Sequence, residues 1–243
     1  MLKNILLQNL LCIDIETVPA QPSIKKLDGE WKDLWEIKSA RLRDEKENPE
    51  EHYFNHAAIY SEFGKVICIT IGIFFRKDKK SPAWKFRLKT FSGDDERKLL
   101  EDFSSLLKKY YTADKYLFCG HNVREFDIPY LCRRMLALQI EIPQLMDVSG
   151  KKPYEVKWVD TMQLWRFGDY KHYTSLRLLA AVLGLPSPKT DLDGKDVGRV
   201  YWKENGLDRI VEYNRRDVIT VAQMILRFKN LPLLAENEIT FAD

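Results

Sequence analysis

The chain has little of what would mark a disulfide scaffold, a membrane protein or a strongly basic protein. Only four cysteines occur in 243 residues, Cys12, Cys68, Cys119 and Cys132, scattered mostly within apolar runs and without paired spacing. That argues against a disulfide framework and against a cysteine zinc cluster, and fits buried free thiols in a reducing compartment. The apolar stretch Ile5 to Ile15 is interrupted by Gln8 and Asn9, is too short to span a bilayer and leads directly into an acidic segment. A cytoplasmic protein without membrane attachment is expected. Charge of one sign is also lacking: 39 Lys and Arg against 36 Asp and Glu give a net charge of +3, so no overall basicity demands a polyanionic partner. There is no internal repeat and no low-complexity segment.

What is present is an ordinary globular composition, with 45% hydrophobic and 31% charged residues. A chain of this length can bury a sizeable core, and one domain over 1–243 is the natural expectation. Period-two and apolar runs predict strands at Leu10 to Glu16, Lys65 to Phe75, Trp84 to Phe91, Tyr116 to Cys119 and near Val156 to Val159. Helical periodicity predicts helices at Asp94 to Tyr110, Ile128 to Leu138, Ser175 to Leu183 and Leu207 to Phe228, with Ser92 or Asp94 capping the first and Gly184 closing the third. Strands followed by helices argue α/β layering.

The most informative run is Cys12-Ile13-Asp14-Ile15-Glu16-Thr17. On a strand, Asp14 and Glu16 share one face while Leu11, Ile13 and Ile15 line the other. Two adjacent carboxylates repel and raise each other's pKa unless a cation sits between them, and a divalent metal is the usual remedy. An exposed acidic strand face is the plain alternative. Two further segments bear on this. Asn122-Val123-Arg124-Glu125-Phe126-Asp127-Ile128-Pro129-Tyr130 follows a short strand and Gly120, and Pro129 places a helix start close to Asp127. By itself that makes Asp127 an N-cap. Tyr213 and Asp217 stack on one face of the last helix, about a quarter-turn from its apolar stripe of Leu207, Ile210, Val211, Val218, Val221, Ala222 and Ile225.

Asp14-x-Glu16, Asn122-x-x-x-Phe126-Asp127 and Tyr213-x-x-x-Asp217, in this order, resemble the four-acid-plus-tyrosine (DEDDy) class of 3'-to-5' exonucleases. The local wording is most similar to the proofreading exonuclease domain of family B DNA polymerases and its free-standing relatives. The sister class carries a histidine five residues before its last acid, where this chain has Glu212, so the tyrosine variant is the one that fits. The chain is too short to carry a polymerase as well. The resemblance implies a ribonuclease H-like α/β fold, a central mixed five-stranded sheet flanked by helices with its second strand antiparallel.

The resemblance also implies two divalent cations, Mg2+ or Mn2+, held by Asp14, Glu16, Asp127 and Asp217. Asp14 would bridge both, Glu16 and Asp217 would complete one site, and Asp127 would hold the other mainly through water. Oxygen ligands suit such hard ions, which activate water, neutralise charge on the phosphoryl oxygens and assist the departing 3'-oxygen. Tyr213 would orient the attacking water together with Glu16; its free pKa near 10 suits hydrogen-bond positioning better than base catalysis. Thr17, Asn122 and Phe126 would meet the terminal nucleotide, Phe126 by stacking, although core packing accounts for Phe126 equally well. The implied partner is a single-stranded 3' end, DNA ahead of RNA, with protein partners not indicated. An exoribonuclease and a non-catalytic ribonuclease H-like binding module are the alternatives. A relic would normally have lost an acid or the tyrosine, and all five are present.

Residues 19–62 read as a helical insertion between the first two strands, with Trp31, Leu34, Trp35, Lys38 and Leu42 on one helical face. Packing of the tryptophans onto the body is favoured over a lid that stacks on a base. His52 and His56 could chelate a metal on a helix, but with no third ligand evident a surface pair is the expectation. The basic residues Arg76, Lys77, Lys79, Lys80, Lys85, Arg87 and Lys89 read as solvated faces ahead of phosphate contacts, and Ser187 to Gly194 as a loop expected to border the cleft.

Overall fold

A computed structural model describes residues 2, 4–41, 47–78, 83–169, 171–186 and 192–242. In chain order the elements are β1 (Leu10–Pro19), α1 (Gly29–Ser39), α2 (Pro49–His56), β2 (Gly64–Phe75), β3 (Lys85–Ser92), α3 (Glu96–Tyr110), β4 (Leu117–Gly120), α4 (Asp127–Ala137), β5 (Val159–Asp160), α5 (Thr161–Arg166), α6 (Leu176–Val182), α7 (Val197–Glu204), α8 (Leu207–Phe228) and β6 (Ile239–Ala242). The strands form one mixed sheet ordered β5-β4-β1-β2-β3-β6. β1, β2 and β3 are successively antiparallel, while β4 joins β1, β5 joins β4 and β6 joins β3 in parallel.

The sheet has six strands where five were expected. β6 is four residues long at the outer edge of β3, too short to stand out by periodicity, and it pairs Ile239 to Ala242 with Phe86 to Lys89. It thereby satisfies backbone groups that an open edge would expose.

β1 is buried on both faces, because helices cover both sides of the sheet. Leu11, Ile13 and Ile15 pack with Val66, Ile69 and Ile71 against α3 and α4 residues such as Leu100, Phe103, Ile128 and Leu131. Leu10 and Cys12 pack on the opposite face with Phe86, Leu88 and the α8 residues Val218, Val221, Ala222 and Ile225. Asp14 and Glu16 continue that second alternation, so they point toward α8. A register shift between Glu16 and Thr17 bends the strand beside the acidic pair.

Cap positions follow hydrogen-bond geometry. Asp95, rather than Ser92 or Asp94, caps α3 by accepting from the Lys98 N–H. Asp94 instead accepts from the Tyr201 hydroxyl at 2.6 Å. Ser175 caps α6, and Gly184 follows its end at φ +62°, a left-handed turn suited to glycine. Asp127 is the first residue of α4 and Phe126 holds the cap position, which corrects the N-cap reading. A bidentate ion pair under the sheet joins Arg134 of α4 to Glu96 of α3, at 2.9 and 2.6 Å; Glu96 also accepts from the Val66 N–H at 2.8 Å.

The insertion forms α1 and α2. Trp35 is buried among Ile24, Tyr53, Ala57 and Phe63, whereas Trp31 is 43% exposed and meets Phe63 edge-on. Only the first behaves as the packing expectation required. Leu42, Lys79, Lys80 and the loop 187–191 lie outside the described residues. Among the described bases, Arg76 stacks on Trp84, Arg87 on Phe75 and Lys89 over Phe91, using ring faces as their platforms. The four cysteines are free, three of them buried. No described helix is long and apolar enough to cross a membrane.

Candidate active site

Three separate segments bring their acids together at the carboxyl end of β1. A carboxylate oxygen from each of Asp14, Glu16 and Asp217 lies within 4.8 Å of the others. Asp14 and Glu16 arrive on the α8 face of the strand, and α8 crosses that face with Asp217 one turn beyond Tyr213. The Tyr213 hydroxyl donates to the Asp217 carboxylate.

Asp127 reaches the cluster from the other layer. β4 pairs with β1 only from Leu10 to Cys12, so the edge of β1 beyond Cys12 has no strand beside it. Asp127 Oδ1 accepts the Ile15 N–H there at 3.1 Å, replacing a ladder bond. The chain reaches this position through the turn that follows Gly120, the last residue of β4, where the backbone is closely packed. A Cβ there would lie 2.7 Å from Val123 Cβ and 3.0 Å from the Ile13 carbonyl oxygen, so only glycine fits. Asp127 is 3% exposed, and its charge is felt at Asp14 and Glu16.

The electrostatics are those of an uncompensated anionic cluster. Burial first, then the neighbouring carboxylates, raises Asp14 and Glu16 well above the ordinary range. Burial pushes Asp127 and Asp217 up to about 7. Burial and the three acids Asp217, Glu16 and Asp14 drive the Tyr213 phenol further above its usual 10, so it stays protonated at neutral pH. The compensating neighbour of Asp14 is neutral: the Asn214 amide donates to its Oδ2 at 2.6 Å, and the same amide lowers Glu16. Asn214 Oδ1 in turn accepts from the Cys68 thiol at 3.4 Å. Arg215 does not neutralise the cluster by contact, being turned to Thr90, Glu212 and the ring of Phe241. Four converging carboxylates without a cationic partner in contact among the described residues fit a hard divalent ion, and their oxygens are the donors that magnesium and manganese prefer.

Asn122 sits in the left-handed region at φ +65°, and its Oδ1 is buried without a hydrogen-bond partner among the described residues. Phe126 is partly buried, packing on Tyr130 at 5.4 Å while keeping some surface free. Thr17 donates its hydroxyl to the Ala58 carbonyl at 2.9 Å and so braces β1 against the insertion.

Two residues of the site were not singled out from sequence. Asn214 is fully buried; lying four residues from both Ile210 and Val218, it is a polar residue inside the apolar stripe, which was the available signal. Asp160 is buried at the end of β5 and accepts from the backbone N–H groups of Asn122, Arg124, Met162 and Gln163. It holds the turn that carries Asn122 against the first turn of α5. Arg124 completes this clamp by donating to Gln163 Oε1 at 2.8 Å and to the carbonyls of Pro153 and Val156.

The layered arrangement is that of a ribonuclease H-like α/β fold. It is similar to the family B DNA polymerase of the hyperthermophilic archaeon Pyrobaculum calidifontis, with a TM-score of 0.55 over 90% of this chain and 24% of that one, at 16% identity, which speaks to fold alone. A DNA polymerase of Archaeoglobus fulgidus is 30% identical over 157 residues, 58% of this chain and 19% of the polymerase, so the chain spans about a fifth of that relative's length. Residues 59–238 match the family described as a predicted 3'-5' exonuclease related to the exonuclease domain of PolB, and the chain belongs to that family. The match includes Asp127, Tyr213 and Asp217 and begins after the strand bearing Asp14 and Glu16.

Proposed function

We propose that the protein is a divalent-cation-dependent 3'-to-5' exonuclease that hydrolyses single-stranded DNA from its 3' end and releases nucleoside 5'-monophosphates. The observation that carries this reading is the convergence of Asp14, Glu16 and Asp217, with oxygens within 4.8 Å of one another, next to a tyrosine hydroxyl. Asp14, Glu16, Asp127 and Asp217 are the residues that would hold magnesium or manganese. When bound, such ions supply activated water, neutralisation of phosphoryl charge and stabilisation of the departing oxygen.

The chain's own groups have defined tasks. Tyr213, protonated and anchored on Asp217, positions the attacking water by hydrogen bonding and does not remove its proton. Asn214 fixes the rotamer of Asp14 against the repulsion of its neighbours. The unpartnered Asn122 Oδ1 would accept a hydrogen bond from the terminal nucleotide once its side chain turns toward the cleft, and the accessible part of the Phe126 ring would offer a stacking face.

The test is product analysis on end-labelled linear DNA, circular single-stranded DNA and linear RNA of equal sequence, with Mg2+, Mn2+ or chelator. Mononucleotides released from the labelled 3' end of linear DNA, an intact circle and no cleavage in chelator are expected. Nicking of the circle would replace this reading with an endonuclease, and a preference for RNA would move the substrate to the other sugar.

A further inference from the structure

Of the pair His52 and His56, expected on the surface, His52 is buried and only His56 is partly exposed. Asn48 caps α2 by accepting from the Glu51 N–H, and the chain entering that cap carries Glu47 back over the helix. Glu47 Oε2 lies 2.9 Å from His52 Nδ1 and 3.4 Å from His56 Nε2, and a ligating atom from each of the three residues lies within 4.8 Å of the others. The second oxygen, Oε1, accepts from the Asn55 amide at 2.9 Å, which fixes the carboxylate plane. His52 is 1% exposed, its ring is held against Trp35, and its Nε2 has no hydrogen-bond partner among the described residues. A single carboxylate oxygen thus faces two imidazoles, more donors than a helix-capping staple uses.

We propose that Glu47, His52 and His56 form a second metal site, selective for a zinc-class divalent cation and separate from the acidic cluster. Two imidazole nitrogens and one carboxylate oxygen are a borderline donor set, which zinc accepts and magnesium does not. Zinc-to-ligand distances of about 2.0 to 2.1 Å in a tetrahedral site imply ligand separations of about 3.3 Å. The two separations to Glu47 bracket that value, so small side-chain movements close the site. Asn55 supplies the outer hydrogen bond that commonly orients a ligating carboxylate. The fourth position is reached through His56, which lines a cleft of about 660 Å³ between α2 and α7. The cation would tie the chain before α2 to a helix whose following turn, at Ala58, receives hydrogen bonds from Thr17 and Tyr130.

The experiment uses the full chain, stripped of metal, with the Asp217→Asn variant silencing the acidic cluster. Calorimetric titration with Zn2+ should show one tight equivalent in Asp217→Asn and a raised melting temperature, with excess Mg2+ failing to compete. Co2+ in its place should give the strong visible bands of a four-coordinate site. His56→Ala and Glu47→Gln in the same background should each lose about a hundredfold or more in zinc affinity, the scale at which even outer-shell losses are felt. His56 lies on the accessible side of the cluster, so its variant should fold, as circular dichroism will verify. Zinc binding of equal strength in the His56→Ala background, or no zinc bound by Asp217→Asn itself, overturns the proposal and leaves Glu47 as a hydrogen-bonding staple.

Discussion

Replacing Asp217 by Asn should stabilise the metal-free protein while abolishing its activity, and the two effects have one cause. Burial raises Asp217 from 3.8 to about 7 in the fold. Each tenfold displacement of a proton equilibrium is worth about 1.4 kcal/mol, so this corresponds to about 4 kcal/mol of folding energy lost on full ionisation. The unfolded chain releases the proton near 3.8 and the folded chain only near 7. Stability is therefore undiminished below 3.8, falls between 3.8 and 7, and levels off above 7. Asparagine removes the charge, and its amide oxygen can still accept the Tyr213 hydroxyl. The full figure is an upper bound, because Asp14, Glu16 and Asp127 share the same protons and the last charge to leave relieves the others. A gain of about 2 to 4 kcal/mol at pH 8, shrinking to nothing near pH 4, is expected. Urea denaturation of both proteins in chelator across pH 4 to 8 measures it. Adding Mn2+ at pH 8 should then reverse the order, since only the parent retains the full ligand set and binding to the folded state alone adds stability. If the parent's stability in chelator is flat from pH 4 to 8, or Asp217→Asn is less stable than the parent at pH 8, the reasoning about an uncompensated cluster is wrong.

Other outcomes follow from single contacts. Tyr213→Phe keeps the ring and its packing but loses the hydroxyl, so single-turnover cleavage should slow by about 10²- to 10⁴-fold while Mn2+ affinity by calorimetry persists; cleavage at the parental rate would remove the tyrosine from the mechanism. Asn214→Ala frees the Asp14 carboxylate and leaves the Cys68 thiol without its acceptor, costing about 1 to 3 kcal/mol in urea denaturation and weakening Mn2+ binding as well. Glu96→Ala strands Arg134 under the sheet and should cost about 3 to 5 kcal/mol while cleavage below the melting temperature is retained, because the pair lies outside the acidic cluster.

Asp14 and Glu16 on one face of a strand and Tyr213 above Asp217 on a helix were legible in the sequence, because strand and helix periodicities are local. The helix starting near Pro129 and the left-handed turn at Gly184 were legible for the same reason, since proline and glycine restrict or free the backbone where they stand. Local rules could not say where those faces would point. Asp127 read as a helix cap because an aspartate at a helix start usually is one; in the fold β4 ends early, leaves the Ile15 N–H unpaired, and Asp127 takes it. Asn214 was not singled out, because only the packing of α8 on β1 sets its amide against Asp14. His52 and His56 read as a surface pair because their third partner lies on the other side of a cap, and only the turn at Asn48 brings Glu47 over the helix. The sequence by itself determined which residues share a face, since that depends on the repeat of one element. Only the tertiary structure decided which faces meet, and with them where charge accumulates without a counter-ion, since burial and distance are properties of elements brought together.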